Sequence, residues 1–248
     1  MNKFNPTLSQ RPAARPDMAV DAGLRAFMLG VYNKMGLGLV VSAGLAWATA
    51  SVGPVRDALF IVVDGRLSGY TLLGTVLAFA PLVVLLGSAF LVRKASPRTA
   101  SLLYWTVVAL IGASLGAVAL RYTGQSLAST FLITAAAFGA LSLYGYTTRR
   151  DLTGLGSFLI MGVVGLLIAS LVNLFFQSSL LMLAISGIGV LIFAGLTAYD
   201  TQRLKMTYHQ LGGDRAAMGS ATSFGALSLY LDFINLFQFL LVFLGQRR

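Results

Sequence analysis

Charge is sparse along this chain, and the stretches that lack it divide the sequence into long apolar windows. Uncharged runs extend from Met35 to Val55, Leu67 to Val92, Thr99 to Leu120, Tyr122 to Thr148 and Leu152 to Tyr199. A helix needs about 20 apolar residues to cross a bilayer. The first four windows therefore predict one span each. The fifth is more than twice what one helix can use and relaxes only at Asn173 and Gln177-Ser178-Ser179, which predicts two spans joined by a tight uncharged turn. A last window, Ala216 to Gln246, carries one charge, Asp232, and predicts a seventh span. The expected spans are approximately 31–52, 70–92, 99–120, 126–148, 154–175, 180–201 and 222–244.

Composition strengthens this reading. The 248 residues are 57% hydrophobic and 10% charged, with mean hydropathy +0.81, whereas about a quarter of the residues in a soluble domain are charged. With no water in the membrane core, backbone groups must be satisfied internally, and long apolar runs can do this only as helices. The predicted fold class is an all-α integral membrane protein, a seven-transmembrane helix bundle. Residues 1–24, with Pro6, Pro12 and Pro16 among charged positions, read as a basic tail, disordered to about Asp21 and then a short interfacial helix through Arg25. Residues 25–248 form the transmembrane domain. The tail lacks the apolar core and small-residue cleavage site of a signal peptide.

The basic residues orient the bundle, because Lys and Arg accumulate on the cytoplasmic side. Alternate segments, beginning with the tail and Lys34, hold thirteen basic residues against five on the opposite side, namely Arg56, Arg66, Arg121, Arg247 and Arg248. The N-terminus is therefore expected on the cytoplasmic side of the membrane and the C-terminus outside. The final Arg pair would fit better with a re-entrant last segment. The net charge of +10 invites a nucleic-acid reading, but these residues are scattered over short loops without interleaved aromatics, so none is expected to bind. Zero cysteines exclude disulfides, thiol catalysis and Cys-ligated metal. Gly112 and Gly116, and the series Gly187, Gly189 and Gly195, suit close helix packing. Tyr70, Tyr104, Trp105, Tyr122, Tyr144 and Tyr146 fall near predicted interfaces as aromatic belts, and Pro81 interrupts the second span.

Two acids stand apart. Of eight acidic residues, all Asp, six lie in tails or loops, which leaves Asp200 at the cytoplasmic end of span six and Asp232 inside span seven. An intramembrane carboxylate is costly and usually faces a cavity or a polar partner. Asp200 also fits a solvated helix end with Arg203 and Lys205 nearby. Asp232 shares a helical face with Asn235 and has no basic residue between Arg215 and Arg247. Spans six and seven form a hairpin, so the two carboxylates can meet. Close carboxylates in a low-dielectric site cannot both ionise cheaply, and such a pair shares a proton and titrates as a unit. Protonated, it holds the helices together; ionised, it repels itself and offers oxygens to a hard cation such as calcium.

The segments Gly195 to Lys205 (GLTAYDTQRLK), Leu227 to Phe237 (LSLYLDFINLF) and Phe138 to Leu152 (FGALSLYGYTTRRDL) together resemble the bacterial branch of the Bax inhibitor-1 family, the transmembrane Bax inhibitor motif proteins. The similarity runs from about Leu24 to the C-terminus. It implies a seven-helix fold with the last helix central, surrounded by the other six, and a pH-sensitive calcium leak gated by an aspartate pair. That pair maps onto Asp200 and Asp232, with transient calcium contact there. Tyr199, Gln202 and Asn235 are the supporting polar residues. Family members are said to pair one latch aspartate with a basic residue in the second span, but Leu67 to Val92 holds no charge, so Arg93 or Arg149 would have to substitute. The resemblance also implies an alternative, a non-enzymatic modulator that binds and restrains a membrane-bound quality-control protease. Expected partners are thus the lipid bilayer, calcium ions and such a protease, with no cofactor.

Enzyme chemistry finds little footing. Tyr199-Asp200 imitates the first element of an intramembrane aspartyl protease, but Tyr230-Leu231-Asp232 lacks the glycines of the second. Gly112-Ala113-Ser114-Leu115-Gly116 matches a nucleophile elbow in letters only, inside an apolar span. The one histidine, His209, is expected in a cytoplasmic loop.

Overall fold

The computed structural model describes residues 16–88 and 96–248, with side chains from residue 22. Tail residues 1–15, Arg93 and Lys94 lie outside the described residues. The elements in chain order are α1 (Pro16–Ser51), α2 (Gly53–Leu59), β1 (Phe60–Val63), β2 (Arg66–Tyr70), α3 (Leu72–Ser88), α4 (Pro97–Ser114), α5 (Gly116–Arg121), α6 (Gly124–Thr147), α7 (Thr153–Phe176), α8 (Ser179–Gln210) and α9 (Arg215–Leu244).

Among the described residues six helical stretches are long and apolar enough to cross a membrane: residues 22–51 of α1, α4 continued by α5, α6, α7, α8 and α9. The expected second span appears as α3, apolar and 17 residues long among the described residues, about 25 Å of rise against a hydrocarbon core of about 30 Å. Outward-facing side chains have the character lipid requires. Leu72 is 85% exposed and Phe175 84%, arrangements that in water would forfeit the hydrophobic stabilisation of both residues.

Local sequence sets the helix ends. Ser96, Thr123 and Ser178 each accept a backbone N–H at the start of α4, α6 and α8, and Asp214 caps α9 through Ala216 and Ala217, which satisfies donors a helix start leaves open. The α7–α8 turn is only Gln177 and Ser178. Gln177 is left-handed at φ 48°, and Asn173 Oδ1 accepts from the Ser178 N–H at 3.0 Å.

Several expectations are corrected. The all-helical class holds, with one addition to the expected elements: β1 and β2 pair as a short antiparallel hairpin. Its signal was Asp64-Gly65, which supplies two consecutive positive φ angles (51° and 73°) and so a hairpin turn of matching twist. Helix α1 begins at Pro16, ahead of the expected Asp21, and runs unbroken into the span; proline is well suited to a first helical turn. The α8–α9 connection shrinks to residues 211–214, so His209 lies in the last turn of α8 and not in a loop. Helix α9 is continuous and not re-entrant. Tyr104 belongs to no belt: it is fully buried, and its hydroxyl donates to the Lys34 carbonyl at 2.6 Å. Lys34 lies within α1 and not in the tail, donating to Ser101 Oγ at 2.9 Å and Ser223 Oγ at 2.7 Å beside the Tyr104 ring.

Helix α9 occupies the centre. It packs principally on α1, α4, α6 and α8, while α3 leans on α4 and α7 on α8. Among the described residues the last helix is thus central, with four helices supplying most of its enclosure. Tyr230, Leu229 and Leu236 are fully buried along it. Glycines permit the closest approaches: a Cβ on Gly112 would stand 2.6 Å from Ser42 Cα, and one on Gly145 would collide with the Ala198 backbone. The Gly112–Gly116 stretch is thus a packing seam of α4 and α5 against α1.

Candidate functional site

The most extensive interhelical contact joins α8 to α9. Its register follows from two close contacts. The Leu204 side chain lies against Gly225, and the Phe239 ring lies against Gly189. In this antiparallel register Asp200 stands level with the region of Ser228, and Asp232 lies one turn, about 6 Å, further along α9.

The two acids therefore meet across the seam. Asp232 is 4% exposed and close enough to feel the charge of Asp200, and its Oδ2 has no hydrogen-bond partner. Asp200 has Ser228 as a polar neighbour on α9 and Arg203 as a cation whose charge reaches it. Arg203 does not close to ion-pair distance; among the described residues the one ion pair is Arg56–Asp57. A buried carboxylate oxygen without a partner is an expensive arrangement. Ser228 was missed in the sequence, although its spacing from Asp232 is the i, i+4 of one helix face, and Arg203 stands at i+3 from Asp200.

The proposed supporting residues divide. Gln202 is buried and faces away from the pair: its Oε1 accepts from Leu152 N–H at 2.8 Å and its Nε2 donates to the Arg150 carbonyl at 2.7 Å, tying α8 to the α6–α7 loop. Tyr199 lays its ring over Gly156 of α7. Asn235 donates to the Leu231 carbonyl of its own helix at 2.8 Å. Arg149 is exposed and makes no ion pair, and Arg93 is outside the described residues. Beside Asp200, Thr201 joins a hydroxyl chain in which Tyr32 contacts Ser142, and Ser142 lies 3.0 Å from Thr201 Oγ1. No group of three His, Cys, Asp or Glu residues comes together among the described residues. Calcium takes six to eight oxygens, so two carboxylates suit passing contact better than residence.

The family model described as "Inhibitor of apoptosis-promoting Bax1" matches residues 24–248. A protein of Caulobacter vibrioides is 64% identical over the full length of both chains. A Rickettsia prowazekii protein is 46% identical, covering 92% of each chain. Inner membrane protein YbhL of Escherichia coli is 43% identical over 92% of this chain and 94% of its own. With a family-model match over nearly its whole length and six helices of membrane-spanning length among the described residues, this chain belongs to the Bax inhibitor-1 family of membrane proteins.

Proposed function

We propose that this protein is a pH-sensitive calcium leak of the bacterial inner membrane, gated by Asp200 and Asp232. In this reading α3 makes a seventh crossing, with the N-terminus cytoplasmic and the C-terminus outside. The protein performs no bond-breaking chemistry. The observation that carries the reading is the buried Asp232 carboxylate, with one oxygen unpartnered, set against Asp200 with no cation at ion-pair distance.

A shared proton lets one carboxyl donate to the other and closes the α8–α9 seam. Loss of that proton leaves two like charges in a low-dielectric setting, where repulsion is strong, and separating the helices relieves it. The freed oxygens then assist a divalent cation through without holding it. Flux accordingly rises as pH rises.

Calcium flux into proteoliposomes, scanned between about pH 5 and 8, tests this, with wild type beside Asp200→Asn and Asp232→Asn. The expected result is a pH-dependent flux that either substitution flattens or displaces. Wild-type vesicles no leakier than empty ones at every pH would remove the channel reading and turn attention to restraint of a membrane-bound protease.

A further inference from the structure

The end of the bundle that carries the C-terminus holds five basic residues, and four of them converge. Arg56 pairs with Asp57 at 2.8 Å. Arg66, Arg121, Arg247 and Arg248 all line one cavity of about 1030 Å³, whose walls include no Asp or Glu side chain. Asp64, in the hairpin turn two residues from Arg66, is the nearest acid in sequence and lies outside that lining.

This convergence is built. The last residues pair with the α5–α6 junction: Thr123 N–H donates to the Gln246 carbonyl at 3.0 Å, Arg248 N–H donates to the Arg121 carbonyl at 3.0 Å, and Gln246 N–H donates to Ser126 Oγ at 2.9 Å. Tyr122 and Arg247 form an antiparallel bridge. Backbone bonds thus hold three arginines together against their mutual repulsion, and the β-hairpin delivers the fourth. Among the described residues Arg247 finds only the Met182 sulfur, at 3.8 Å, a weak acceptor. The polar wall opposite is the α7–α8 turn, with Asn173, Gln177, Ser178 and Ser179. A set of guanidinium forks with no Asp or Glu side chain among them suits the geometry of a phosphate group.

Arg248 and Leu120 also line a second, mostly apolar cavity of about 750 Å³ between α1 and α6. Small residues open it, with Ala43, Ala46 and Ala50 on one wall and Gly124 and Ala128 on the other, and Phe131 and Phe233 lie deeper. From Ser51 to Leu39 this groove follows α1 for about 18 Å, slightly more than half the thickness of a hydrocarbon core of about 30 Å. Arg248 belongs to both cavities, and the length of the groove matches one leaflet.

We infer that this is a binding site for one anionic phospholipid, its phosphate held by Arg66, Arg121, Arg247 and Arg248 and one acyl chain lying in the α1–α6 groove. The site is separate from the aspartate pair, and its occupancy is independent of any calcium flux. The lipid supplies countercharge that no Asp or Glu side chain of the lining provides and joins α1, α5, α6 and the C-terminal residues into one unit.

Trp47 lines the groove and provides the reporter. In full-length protein carrying Trp105→Phe, with Trp47 the remaining tryptophan, phosphatidylglycerol brominated on its acyl chains is titrated into phosphatidylcholine micelles. Trp47 fluorescence should quench saturably at a low mole fraction, while brominated phosphatidylcholine should need far more. The triple variant R121Q/R247Q/R248Q should raise the midpoint by about tenfold or more, since each lost charge-assisted bond weakens binding by about that factor. Its thermal unfolding in pure phosphatidylcholine serves as the folding control, because the backbone bonds of this segment do not need the side chains. A second variant, Ala128→Phe, leaves the arginines in place and should abolish the saturable phase by filling the groove. Equal quenching by both lipids, or a midpoint indifferent to both variants, would overturn the site. Displacement of the brominated lipid by millimolar inorganic phosphate would assign the arginines to a free anion and overturn the lipid assignment.

Discussion

Ser228 on α9 stands level with Asp200 on α8, one helical turn short of Asp232. The three residues form a polar step in an otherwise apolar seam, and the behaviour of any one of them depends on the other two. Asp232→Asn keeps the shape and removes the charge, so it should raise thermal stability in detergent by about 1 to 3 kcal/mol. Combined with Asp200→Asn it should depart from additivity by about 0.5 to 3 kcal/mol. Strict additivity would place the carboxylates out of contact. Ser228→Ala should displace the pH midpoint of flux, whereas Ser129→Ala, on α6, should leave it unchanged.

Gln202 is a brace. Its amide satisfies Leu152 N–H and the Arg150 carbonyl, so Gln202→Leu strands a buried donor and should cost about 1 to 3 kcal/mol. Limited proteolysis should then cut residues 148–152 faster than in wild type, with the pH midpoint of any flux unmoved. A shifted midpoint at normal stability would instead tie Gln202 to the acids.

Helix α6 touches α8 backbone to backbone at Gly145, where an added Cβ would meet the Ala198 carbonyl. Gly145→Val should destabilise by about 1 to 3 kcal/mol. Gly139→Ala, on the same helix with open space beside it, should be neutral or slightly stabilising, because alanine is the better helix former. Thermal unfolding of the two proteins in one detergent compares them directly.

Lys34 is held by Ser101 and Ser223 between α1, α4 and α9. Replacing the whole cation by an apolar chain of similar length, Lys34→Met, should be neutral or stabilising. Removing a partner, Ser223→Ala, should cost about 1 to 3 kcal/mol, because the ammonium loses one of its acceptors. Reversal of that order in thermal unfolding would make Lys34 a net stabiliser.

Hydropathy exposed most of the bundle and hid its exceptions. The Asp64-Gly65 hairpin is absent from the expected elements, because it falls between two expected spans, where hydropathy registers only a connection. The α8–α9 loop was drawn too long because Arg203, Lys205 and His209 are polar, yet polar residues continue a helix readily once it emerges from lipid. Tyr104 and Lys34 lie where a boundary was expected, and their side chains turn inward. A hydropathy window sums over all faces of a helix and cannot register that direction.

The sequence by itself determined that this chain lives in a membrane, roughly where its helices run, which acids fall inside them and which family it joins. Those properties follow from transfer free energies and short motifs, which are local and nearly additive along the chain. Tertiary structure alone decided that Asp200 faces Ser228 and Asp232, that Gln202 turns away, and that Arg66, Arg121, Arg247 and Arg248 share one cavity. These depend on the rotation and register of each helix against its neighbours. Close contacts such as Leu204 on Gly225 and Ser42 on Gly112 set that register, and they join residues far apart in the chain.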